Sequence, residues 1–170
     1  VLLSVCELQT LQHYKAIPLY AYVRFGKWEK ILNEAKPNEL QLYPIGVWHY
    51  ARGMAFTAAN KLDEAQSEWN ELEKIKDLAA VNNLSIWGIN SAGNLLKIAS
   101  EVLAGEIAAK RKDYKTAIAR LIKAKDLEYE LNYDEPPTWF YPVRHNLGAV
   151  LIAAGQFKKA EEIYMEDLAE

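Results

Sequence analysis

Acids, an arginine and a histidine crowd together between Tyr133 and Gly148, in the stretch YDEPPTWFYPVRHNLG. Asp134 and Glu135 stand about ten residues before His145, which makes a carboxylate–histidine pair for general acid–base work conceivable. The same stretch also reads as a stiff lead-in to a helix. Pro136 and Pro137 exclude helical geometry before them and lack a donor, so the preceding helix should stop at 131–133. Thr138 can cap the next helix, and Pro142 is tolerable within or beside its first turn. Trp139, Phe140 and Tyr141 can then pack across the joint. This second reading is the one adopted, with Arg144 and His145 left as the stretch's contacts to a partner.

Elsewhere the chemistry is sparse. His13 and His49 fall on other segments, no two histidines share a zinc-motif spacing, and no cysteine accompanies them. There is no phosphate loop, dinucleotide fingerprint or nucleophile motif. The expectation is therefore no catalysis, no metal and no cofactor. Seven cations between Lys110 and Lys125 fall on several helical faces and read as a solvated flank rather than a nucleic-acid stripe. The acidic run from Asp63 to Asp77 reads as a solvent face, broken by Trp69 and Leu72 pointing inward. Asn83-Leu84-Ser85 matches the glycosylation pattern, which arises often by chance.

What must position these residues is a chain of 170, enough for one domain and a sizeable core. With 51% hydrophobic and 25% charged residues and a net charge of -3, it has the balance of an ordinary soluble protein without a general pull toward nucleic acid or anionic membrane. No apolar run approaches the ~20 residues that span a bilayer. The single cysteine, Cys6, excludes an internal disulfide and points to a reducing compartment, although a packed core needs no disulfide outside the cell either. The chain opens on Val1 rather than methionine, and Met165 to Glu170 continue a helical pattern with acids where a helix end prefers cations. Both ends read as cuts in a longer protein.

Helical spacing dominates, and it repeats. Gly53, Gly105 and Gly148 are each followed seven residues on by a break (Asn60, Lys112, Gly155), two further on by Leu62, Tyr114 or Phe157, and then by Ala65, Ala117 or Ala160. Gly26 and Trp28 begin a weaker fourth copy. A small Gly lets a second helix approach closely, the Ala fits the same crossing, and Gly26, Asn60 and Gly155 supply left-handed turn residues. Helical hairpins are expected over 11–34, 42–76, 95–131 and 139–168, with an irregular or partly helical linker at 82–94 that packs Trp87 back onto the rest.

Paired Gly and Ala on hairpins of this length resemble the tetratricopeptide repeat (TPR). The spacing from Gly26 to Asn60 is the family's 34, whereas the next two intervals, 52 and 43, carry insertions. Lys112 at a turn, Ile31 in place of Ala and Pro18 within a first helix depart from the pattern. DEPPTWFYPVR with LGAVLIAAGQFKKAEEIYMEDL, and GVWHYARGMAFTAANKLDEA, are similar to segments of a family of bacterial TPR proteins. The resemblance implies an all-α solenoid of about four hairpins with insertions, forming one domain over residues 1–170. It also implies a bacterial origin and a longer parent chain, and it supplies no activity.

In such a solenoid the first helix of each pair lines a concave face. The expected partner-binding residues there are Tyr20, Arg24, Tyr50, Arg52, Glu106, Lys110, Arg144 and His145, a set suited to a peptide or partner protein. Arg52 or Arg144 is expected to pair with Glu106, Asp134 or Glu135, tying the insert to that face. The rival expectation is a small ligand or a reaction in a pocket beneath residues 133–145. Self-association through the same face is a third.

Overall fold

The computed structural model describes residues 9–168. Cys6 and Glu170, on which two of the expectations above rest, lie outside them. Among the described residues are nine helices and one two-stranded antiparallel ribbon: α1 (Gln9–Arg24), α2 (Trp28–Asn33), α3 (Leu42–Ala58), α4 (Leu62–Lys76), α5 (Ala79–Asn82), β1 (Ser85–Ile86), β2 (Asn90–Ser91), α6 (Ala92–Lys110), α7 (Tyr114–Tyr129), α8 (Val143–Ala153) and α9 (Phe157–Leu168). The chain is mostly helical, as the spacing predicts.

Four connections share one geometry. Gly26, Asn60, Lys112 and Gly155 all take positive φ, between 59° and 73°. In each, the following amide reaches back five residues: Lys27 N to Tyr22 O at 2.8 Å, Lys61 N to Phe56 O at 2.9 Å, Asp113 N to Ala108 O at 3.0 Å, and Gln156 N to Leu151 O at 2.9 Å. This is the Schellman closure, in which a left-handed residue lets the last carbonyls of one helix find donors while the chain reverses. The sequence reading assigns left-handed geometry to three of these positions, and the fourth is Lys112.

Packing then follows the sequence order. α3 lies on α4, α6 on α7 and α8 on α9, while α1 and α4 reach the neighbouring α3 and α6, and α7 reaches α8. The small residues mark the close approaches. A Cβ on Gly105 would come within 2.8 Å of Leu121 Cγ on α7, and one on Gly148 within 2.3 Å of Tyr164 Cζ on α9. Ala65, Ala117 and Ala160 are buried, as the pattern requires. Gly53 differs from the expectation: its close neighbour is Leu103 on α6, at 2.4 Å from a built Cβ, rather than a residue of α4. Phe157, by contrast, is exposed.

The linker at 82–94 is partly helical at both ends, where α5 finishes and α6 begins, and holds the short ribbon between them. Ile86 is its fully buried anchor. Trp87 sits at the ribbon's tip with φ of 57° and remains 53% exposed, edge-on to Tyr14 at 5.4 Å. The expected inward Trp87 is thus replaced by Ile86, the last strand residue, while Trp87 takes a left-handed turn conformation at the tip.

Residues 130–142 form the long connection between α7 and α8, and Asn90 secures it. This buried side chain donates to Asn132 O and to Thr138 Oγ1, both at 3.0 Å, and accepts from Asn132 N at 2.9 Å. Thr138 is occupied there and donates in turn to Asp134, so it does not cap α8. The first amide of α8, Val143 N, instead donates to Glu128 Oε2 from α7 at 2.9 Å.

Candidate binding groove

α1 and the 130–142 connection face each other across a cavity of about 910 Å³. Its floor is aromatic. Phe140 stacks on Tyr20 with centroids 4.6 Å apart, and Trp139 meets Tyr20 and Tyr50 at 5.6 and 5.8 Å. Beneath, Tyr43 Oη links His13 Nδ1 at 2.8 Å to Tyr20 Oη at 3.2 Å. Burial pushes all three phenols, Tyr20, Tyr43 and Tyr50, well above their ordinary range and draws His13 below its own. These groups stay neutral and act as packing and neutral hydrogen-bonding partners.

The rim is different. Ile17 and Phe25 from the α1 side, and Tyr129 and Tyr133 from the other, line the cavity as exposed side chains, Phe25 at 69% and Tyr133 at 81%. Isolated exposed apolar residues are ordinary, but four around one concavity are not. Charges interleave with them. Arg24 reaches Phe140 O at 3.5 Å and lies 5.8 Å over the Tyr141 ring. Arg144 lies 3.8 Å from Asp167, and Lys125 3.6 Å from Asp126. Asp134 accepts from Thr138 Oγ1, and Glu135 accepts from Tyr133 Oη.

The residues singled out from the sequence are distributed unevenly around this groove. Arg24, Arg144, Asp134 and Glu135 line it. Tyr20 also lines it as part of the floor, whereas Tyr50 does not; both are 2% exposed beneath Trp139 and Phe140 rather than on an open face. Arg52 lies elsewhere, donating to Glu68 Oε1 at 2.7 Å and lying 4.5 Å over the Trp48 ring. Glu106 accepts from Asn146 at 2.8 Å, and Lys110 is exposed at the end of α6. Burial pushes the Glu106 carboxyl up.

The expected tie between Arg52 or Arg144 and the acids at 106, 134 and 135 is also corrected. Arg52 takes Glu68 and Arg144 takes Asp167, both nearer through the helix packing, while Asp134 and Glu135 meet neutral hydroxyls. His145 has a carboxylate partner, but it is Asp167 on α9, at 2.8 Å, and not an acid of the insert. A histidine flanked by Tyr141 and Tyr164 rings and held to Asp167 ties α8 to α9.

Sequence reasoning missed His13, Phe25 and Tyr129 as groove residues. Only the spacing of Ile17 and Ala21 on α1 with Phe25 just beyond its end could have marked that wall, since these are apolar on a side opposite the one carrying Ala16, Leu19 and Val23. Among the described residues no three His, Cys, Asp or Glu side chains gather to hold a metal ion, and no helix is long and apolar enough to cross a membrane. Comparison with known proteins finds no family model, no curated protein and no solved structure that matches the chain.

Proposed function

We propose that this chain is a helical-repeat module of the TPR-like kind, stacked from paired helices, that binds a segment of a partner protein in the groove between α1 and residues 130–142. The observation that carries the reading is the ring of exposed apolar side chains, Ile17, Phe25, Tyr129 and Tyr133, around a concavity with a rigid aromatic floor. Exposed aromatics over a preformed apolar surface supply binding area at little entropic cost. The four identical turn closures support the repeat reading, because each lets two consecutive helices fold back on one another. The groove, rather than a surface built on Tyr50 or Arg52, is the working face.

Selection from a displayed library of random sixteen-residue peptides tests this. Enriched peptides are expected to lose at least about tenfold in affinity against a Phe25→Asp variant, since an apolar rim anchor becomes a charge. Phe25 is exposed, so helical circular dichroism and the unfolding midpoint should be retained. A failure to enrich any peptide, or equal binding to the variant, contradicts the proposal. A small molecule that fills the cavity and protects it, with no peptide enriched, would replace it with the ligand-binding alternative.

A further inference from the structure

The same groove carries information about its occupant. Resting on the partner-binding reading above, we infer that the segment bound is a basic amphipathic helix lying along α1 with its cations toward Asp134 and Glu135.

Lys125 faces Asp126, Arg144 faces Asp167, and Arg24 is held by Phe140 O and the Tyr141 ring. The cations of the groove are therefore engaged by the chain's own groups. Asp134 and Glu135 are not matched in this way: the hydrogen bonds they accept come from the neutral hydroxyls of Thr138 and Tyr133. A segment entering beside them gains by bringing positive charge, and Tyr129 and Tyr133 on the same rim offer exposed rings to a cation.

Backbone hydrogen bonding selects a helix. An extended peptide in an apolar groove leaves its amides and carbonyls unpaired unless a strand edge receives them. Here one wall is a helix, whose backbone is already bonded, and the other carries Pro136, Pro137 and Pro142, which have no amide to give. The ribbon β1–β2 has only two residues to a strand, these pair with each other, and its Asn90 side chain is spent on Asn132 and Thr138. A helix satisfies its own backbone and needs only an apolar ridge to lie on. Ile17, Ala21 and Phe25 supply one, recurring at four-residue steps over about 12 Å, or roughly two turns.

The test uses the peptides enriched above. They should carry apolar residues at i, i+3 or i+4, and i+7, with Lys or Arg along one flank, and should gain helical circular dichroism on binding. A proline placed at the centre should weaken binding at least about tenfold. The double variant Asp134→Asn with Glu135→Gln should weaken it roughly threefold to tenfold and flatten its salt dependence. Enriched peptides that are proline-rich, alternate with period two, or carry acids would overturn the inference while leaving the groove as a binding site. So would a dimer, seen by light scattering on dilution, that Phe25→Asp abolishes, since the occupant would then be a second copy. Failure of any peptide to depend on Phe25 overturns the parent proposal instead.

Discussion

Glu68 shows how a single side chain holds two helices. It accepts from His49 Nδ1 at 2.6 Å and from Arg52 Nε at 2.7 Å, joining α4 to α3. Burial pushes its carboxyl up, but the hydrogen bonds and charges of His49 and Arg52 outweigh that and leave it below the usual range. A carboxyl depressed on folding contributes stability that is full above its unfolded titration and is lost as pH falls through the folded one. Glu68→Gln should therefore cost about 1–3 kcal/mol in urea unfolding at neutral pH, with the gap to the parent chain closing as pH drops through the acid range. An unchanged gap at pH 3 would show that another group carries the acid sensitivity. Tyr20 and Tyr50 teach the complementary lesson. Helical spacing places them on the face of a first helix, and that much is legible. Whether the face is open depends on Trp139 and Phe140, roughly a hundred residues further along the chain, and no local pattern announces that cover.

The turn is the most legible element of the molecule, because its chemistry is local. Glycine or asparagine tolerates positive φ, and Gly26, Asn60 and Gly155 each stand where a left-handed residue is needed. Lys112 takes the same conformation at φ of 62° without that tolerance. Lys112→Gly should accordingly stabilise the chain by about 0.5–1 kcal/mol, read as a raised thermal midpoint; no gain would mean that the lysine side chain repays its backbone strain. Close approaches are less legible, since Gly53 meets α6 and not its sequence neighbour α4. Gly53→Ala gains helix propensity but drives a methyl into the fully buried Leu103, and a net loss of about 1–2 kcal/mol is expected. The 130–142 connection was legible only as a helix break. Its anchoring through Asn90 is a long-range contact, and Asn90→Ala should cost about 2–3 kcal/mol and speed amide exchange at Asn132, whose N–H loses its acceptor. Slow exchange there in the variant would show that the wall is held by other contacts.

For the whole molecule, the order of helix packing largely follows the order of the sequence. Such an arrangement leaves surfaces unclaimed, and the groove on α1 is one that combines depth, exposed aromatics and unmatched acids. The sequence drew attention to Asp134, Glu135 and Arg144 as chemistry-bearing residues; the fold assembles them along a wall rather than around a reacting centre, with His145 turned to Asp167. The claim that this groove is the working surface is tested most directly by titrating the nitrogen-15-labelled chain with an enriched peptide and mapping the amide shifts. The account predicts perturbations clustered on Ile17, Arg24 and Phe25 and on Tyr133 to Phe140. Perturbations gathered instead around Arg52, Lys110 or the outer face of α9, with α1 unmoved, would contradict it.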